Sequence, residues 1–224
     1  MVKFERRGCM RPNKKMPQPK RPYHHGNLVE ALLAAAIEII EKQGVERLSV
    51  REVAKQVGVS PGAPFQHFAS KEALLTAVAE QAMRRLTEAV LEAEAAVQGD
   101  DHLAKVEAIG LGYLDWAFAN PTHFEVISSR KLIDFASSSS LQTQNEAIRE
   151  RMDWLLKEAK ARNELAPELA LDSVVLSCRA FVYGLARMAV DGHFPEWHPA
   201  EEPAVATKRA LRAFISRMRP KAEH

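Results

Sequence analysis

Gly58-Val59-Ser60-Pro61-Gly62 spells G-x-S-x-G, the pattern that presents a nucleophilic serine in α/β-hydrolases. Two physical features exclude that chemistry. The elbow needs a strand running into the serine, whereas residues 49–57 carry helical spacing. It also takes an oxyanion-hole N–H from the residue after the serine, and Pro61 has none. His193 and His198, with Asp191 and Glu196, match no named metal-ligand spacing and lie in a proline-rich stretch. The two cysteines, Cys9 and Cys178, are too few for a disulfide scaffold or a Cys-rich zinc site and suit a reducing compartment. No convergent titratable cluster stands out, so the chain reads as a non-enzyme with no catalytic residues, no metal and no cofactor.

A different chemistry is concentrated between residues 49 and 71. The Gln66 amide can pair bidentately with adenine. Ser49, Arg51, Ser60, His67 and Lys71 carry hydroxyl, guanidinium, imidazole and ammonium donors suited to phosphate oxygens. Gly62 and Ala63 are small enough to let the backbone approach a base edge. Upstream, residues 1–25 hold eight lysines and arginines against Glu5 alone, a net +7 that leaves −5 for the other 199 residues. Such an arm suits nucleic acid or an anionic surface, or is a solvated tail. It has no apolar h-region, and Pro12, Pro17, Pro19 and Pro22 interrupt it, so it does not read as a secretory signal.

The elements that must position these groups are helical. Leu28, Leu32, Ala35, Ile39 and Ile40 make one apolar face, with Gly44 as its stop. Ser49 and Glu52 have capping-box spacing ahead of a short helix that ends at Gly58. Ser60, followed by Pro61, is read as the cap of a third helix over about 60–67, and Ser70 as the cap of a long one ending near Gly99. Two short helices joined around Val57-Gly58-Val59 have the layout of a helix-turn-helix, in which the third helix would enter the major groove.

The segments Tyr23–Leu28, Leu48–Ala54 and Gly58–Leu74 closely resemble the DNA-binding domain of TetR-type transcriptional regulators. The resemblance is specific over residues 22–75. It implies a homodimer bound to double-stranded operator DNA, with an all-helical C-terminal domain that dimerises and binds a small-molecule effector. It places Ser49, Arg51, Ser60, Pro61, Gly62, Ala63, Phe65, Gln66, His67 and Lys71 at the DNA. Phe65 stands where the family usually has a tyrosine. Its ring can pack on the sugar-phosphate backbone but offers no hydroxyl to a phosphate.

Residues 100–220 read as helices throughout, with no Gly-rich phosphate loop and no strand pattern. Aromatic and polar groups at helical spacing suggest an effector lining of Tyr113, Trp116, His123, Phe124, Trp154, Cys178 and Phe181, offering few charges and hence suiting a mainly apolar ligand. Arg179–Ala186 resembles the Trp-His-Gly signature of one C-terminal subgroup, with Phe181 and Tyr183 in place of the tryptophan and histidine. Ala180 and Gly184 make a smooth strip for close helix contact. A long helix opened by Pro167 and the final helix would together build a four-helix dimer interface.

The expected organisation is therefore all-α: a basic, disordered arm over 1–22, a helix-turn-helix domain over 23–70, and a helical regulatory and dimerisation domain over 71–220. Hydrophobic residues at 46% and charged residues at 27% fit a globular protein. No apolar run is read as long enough to cross a membrane. The function expected is that of a cytoplasmic, ligand-responsive repressor. The rival is an all-helical small-molecule carrier that no longer regulates.

Overall fold

A computed structural model describes residues 28–197 and 200–221. The basic arm, the motif residues Tyr23–Asn27, Cys9 and His198 lie outside the described residues. Among those described there is no strand. The helices are α1 Leu28–Gln43, α2 Val50–Val57, α3 Lys71–Ala95, α4 His102–Ala119, α5 Pro121–Ser128, α6 Ser139–Ala161, α7 Leu171–Val190, α8 Phe194–Trp197 and α9 Pro203–Ser216, with 3-10 turns at Val45–Arg47 and Ala63–Gln66.

Their ends follow from local chemistry. The Ser49 hydroxyl accepts the Glu52 backbone N–H at 3.1 Å, and the Ser70 hydroxyl accepts that of Ala73 at 3.0 Å. Each such cap is worth about 1 kcal/mol. Gly58 closes α2 in the left-handed helical region (φ 77°, ψ 29°), and Gly44 follows α1 with a positive φ of 82° but an extended ψ of 160°, both conformations that cost glycine little. Asp101 and Ser138 cap α4 and α6 through their side chains.

Two expectations about element boundaries are corrected. The third helix does not run as an α-helix from 60 to 67. It is a 3-10 turn over Ala63–Gln66, entered through Gly62, with no side-chain cap. Pro64 lacks the N–H that an α-helix would donate to Ser60, so the Ser60 carbonyl accepts from Ala63 instead, and Phe65 bonds back to Gly62. The long C-terminal helix opens at Leu171 rather than Pro167. The Ala166 N–H is drawn away to the Met218 carbonyl at 2.8 Å, which pins this segment to the end of α9.

The membrane reading is corrected too. α7 is long and apolar enough by length and composition to span a bilayer, with a mean hydropathy of 1.4 over its best window. It also carries Asp172, Arg179 and Arg187. Val174, Cys178, Val182, Leu185 and Ala186 sit in the core, while Leu176 is 69% exposed.

Two apolar cores meet along α3. The first packs α1 and α2 against the start of α3, through Leu32, Ile39, Val53, Leu74, Leu75, Val78 and Ala79. The second takes Ala82, Leu86 and Val90 from the same helix and packs them with α4, α6, α7 and α9. Met83 borders both. The boundary expected between residues 70 and 71 thus falls at the start of a helix that both cores share.

Candidate nucleic-acid interface and ligand cavity

The ten residues singled out between 49 and 71 lie on a mostly solvent-facing surface. Ser49, Arg51, Ser60, Pro61, Gly62, Phe65, Gln66 and His67 are exposed, and Ala63 and Lys71 are half-buried. Leu48, Val50, Val53, Ala54, Pro64 and Phe68 point the other way and hold the surface on its core. Phe65 is 45% exposed, a large ring in solvent with no core role that would require it. Lys71 has a structural duty as well. Its Nζ donates to the Val45 carbonyl at 2.6 Å and reaches that of Glu46 at 3.5 Å, tying the 3-10 turn after α1 to the start of α3.

In the C-terminal half, α3, α4, α6 and α7 enclose a cavity of about 720 Å³, within the usual range for ligand sites. Met83, Leu86 and Val90 from α3, Val106 and Ile109 from α4, Ile148 and Met152 from α6, and Val175 and Val182 from α7 supply apolar wall.

Tyr113 and Cys178, two of the seven residues expected to line a ligand site, stand on this wall. Burial pushes the Tyr113 phenol above its ordinary value, against the opposing charge of Arg179, whose Nη1 donates to the phenol oxygen at 3.0 Å. Burial also pushes the Cys178 thiol up to about 11, so it is an inert apolar group at neutral pH.

The other five are placed elsewhere. Trp116 is buried in the second core away from the cavity. Phe124 is fully buried between Tyr113 and Tyr183, each ring centroid 6.1 Å away. Phe181 stacks on Phe214 at 4.3 Å and joins α7 to α9. Trp154 is 44% exposed, edge-on to the His102 ring and beneath the Arg151 guanidinium. His123 is half-buried; desolvation and then the Arg85 charge hold its pKa below the ordinary value.

The cavity is also more charged than expected. Arg130, Arg149, Asp153, Asp172 and Arg179 all line it, together with Ser128 and Tyr183. Helical spacing identifies inward-facing apolar positions but not the charged side chains that lie along a cavity mouth. The spacing of Arg179 and Tyr183, one turn apart on α7, was the available signal. Among the described residues, no group of three or more potential metal ligands gathers.

Comparison with known proteins follows the same division. Residues 32–78 match the family model for bacterial regulatory proteins of the tetR family. Residues 106–214 match that for a tetracyclin repressor-like C-terminal domain. The chain is 35% identical over 95 residues to the HTH-type transcriptional regulator BetI of Yersinia pestis (strain Pestoides F), covering 42% of this chain and 46% of that one. It therefore spans about half the length of such curated relatives. It is 25% identical over 138 residues to UidR of Escherichia coli K12, covering 62% of this chain and 69% of UidR. Among solved structures, a protein of unknown function from Rhodococcus sp. RHA1 superposes with a TM-score of 0.74 at 28% identity, over 89% of this chain and 99% of the other. A tetR-family regulatory protein from Rhodococcus RHA1 shares the fold at a TM-score of 0.66 and 18% identity, over 87% and 98% of the two chains.

Proposed function

We propose that this chain, which belongs to the TetR family of DNA-binding transcriptional regulators, is a homodimeric cytoplasmic repressor released from a palindromic operator by a small, mainly apolar effector. The observation that carries this reading is the double membership of α3. One helix packs the DNA-binding core through Leu74, Leu75, Val78 and Ala79, and walls the cavity through Met83, Leu86 and Val90. A ligand that displaces the second group shifts the first. DNA fixes the spacing of its half-sites, so a small change in the separation of two recognition turns costs affinity.

Roles on the DNA follow from side-chain chemistry. Gln66 reads a base edge. Ser49, Arg51, Ser60, His67 and Lys71 position the protein on phosphates, with Pro61, Gly62, Ala63 and Phe65 shaping close approach. Lys71 directs donors to the Val45 and Glu46 carbonyls and retains one for a phosphate oxygen. The domains proposed remain 1–22, 23–70 and 71–220, with α3 as the mechanical link. Dimerisation is assigned to α7 and α9. Leu176 on α7 and Val205 on α9 are large apolar side chains left in solvent by the single chain, and a Cβ at Gly184 meets nothing within 4 Å. Tyr113 and Cys178 take part in effector binding directly; Trp116, His123, Phe124, Trp154 and Phe181, which do not line the cavity, are given no part in it.

The test is a reciprocal titration. A ligand found by direct binding to the free protein, through its shift of thermal unfolding, is titrated into the protein with and without operator DNA. Linkage requires that DNA weaken ligand binding by the factor by which ligand weakens DNA binding, with couplings of about 1–3 kcal/mol typical. Ligand affinity unchanged by operator contradicts the coupling and leaves a small-molecule carrier.

A further inference from the structure

The charges around the cavity are not equivalent. Arg149 is paired with Glu146, and Asp153 with Lys157 at 2.6 Å. Arg130 and Arg179 are exposed residues on the rim of the cavity and have no carboxylate partner among the described residues. Each is held instead by aromatic groups. Arg130 lies 3.3 Å above the centre of the Phe135 ring. Arg179 lies 5.3 and 5.4 Å from the ring centres of Tyr113 and Tyr183 and donates to the Tyr113 hydroxyl. The two guanidinium groups feel each other. Partial burial, and then the charge of Arg179, hold the pKa of Arg130 below its ordinary value. Asp172 does not neutralise the pair locally, because it sits seven residues before Arg179 on α7, about 10 Å along the helix axis.

A third group points to the same place. Ser128, at the end of α5, lines the cavity with its Oγ sealed from solvent and without a hydrogen-bond partner. A buried hydroxyl left unpaired is costly, and such groups are rare in folded proteins. Two uncompensated cations and an orphan hydroxyl therefore border one apolar chamber.

We propose that this cavity takes an apolar carboxylic acid in its ionised form. The carboxylate is received by Arg130 and Arg179, with Ser128 turning its sealed Oγ about χ1 into the cavity as a further donor, and the apolar body extends among Met83, Leu86, Val90, Ile148 and Met152. The planar guanidinium fork matches a carboxylate in a way that a neutral hydroxyl cannot reproduce. The assignment of this ligand as effector rests on the function proposed above; the anion preference itself does not.

Calorimetric titration of the full chain with decanoate and with decan-1-ol at pH 7.5 separates head group from tail. Decanoate is expected to bind at least about tenfold more tightly, since charged hydrogen bonds contribute more than neutral ones. Arg130→Gln and Ser128→Ala are expected to weaken decanoate and leave decan-1-ol unchanged. Neither side chain makes a hydrogen bond among the described residues, so both variants should retain the fold. Arg179→Gln serves as a second probe, with thermal unfolding as its control because it releases Tyr113. Equal affinity for acid and alcohol, no binding of either, or equal weakening of both by Arg130→Gln overturns the proposal. Operator binding is read in parallel. Arginine-dependent decanoate binding without loss of operator affinity supports the anion site and counts against the effector reading. Operator release by acid and alcohol alike does the reverse.

Discussion

Replacing Gly112 by alanine probes the contact on which the link between cavity and DNA depends. Gly112 lies on α4 against α3. A Cβ built there stands 2.8 Å from Ala93 Cβ, 3.1 Å from the Ala89 carbonyl oxygen and 3.4 Å from Val90 Cα. The last two are backbone atoms of α3 and cannot rotate aside, so the helices must part by a few tenths of an ångström. Overpacking of this kind costs about 1–3 kcal/mol. Alanine regains about 1 kcal/mol in helix propensity. The net loss is then about 1 kcal/mol, or a fall of about 2–4 °C in Tm for a chain of this size. Gly110→Ala is the internal control. The three atoms nearest its Cβ all belong to the Leu211 side chain, with Cδ2 at 2.7 Å, and that side chain borders the cavity and can turn into it. Both substitutions change the unfolded chain alike, so their difference isolates packing. Thermal unfolding by circular dichroism at matched concentration should rank Gly110→Ala above Gly112→Ala. A Gly112→Ala protein as stable as the Gly110→Ala protein would falsify the close seating of α3 on α4.

Lys71→Ala is expected to weaken binding across a panel of operator variants about uniformly, whereas Gln66→Ala relaxes preference at one base pair per half-site by about 1–3 kcal/mol. Identical profiles in a mobility-shift panel refute that division of roles. Gly184→Leu should leave the single-chain fold intact, because a Cβ there meets nothing within 4 Å, yet dissociate the dimer in sedimentation. A variant that stays fully dimeric places the interface elsewhere. On a Cys9→Ser background, Cys178 should resist maleimide at pH 8 and react as pH approaches 11, the value to which burial raises its thiol. That raised pKa also stabilises the fold below the ordinary value of 9.0, and the contribution is lost as pH rises through about 11. Labelling at pH 8 as fast as for a free cysteine contradicts the buried setting.

Local signals placed most of the helix ends in the first half of the chain. Ser49 with Glu52, Ser70, Gly44 and Gly58 act where their types and spacing put them, because caps and left-handed turns are decided within a few residues. The error at 60–67 was local as well. Pro61 suits a helix start, but Pro64 removes the next donor, and a 3-10 turn results. The cavity was less legible. Tyr113, Phe124 and Phe181 are all apolar faces of helices, and periodicity cannot say which face a core and which a void. What distinguishes them is set by partners far along the chain: Phe214 for Phe181, and Arg179 for Tyr113. Arg130 escaped notice because it precedes α6 in an irregular segment without periodicity.

Every role assigned to the first domain depends on sequence-specific DNA recognition by the surface between Ser49 and Lys71. It is tested most directly by the ratio of affinities for a duplex selected from random sequence and a scrambled duplex of the same length, measured at about 0.15 M salt, where nonspecific phosphate binding is weak. A palindromic selected site bound by two chains is expected, with a ratio of at least about 10³. Equal, weak affinity for both duplexes would contradict it.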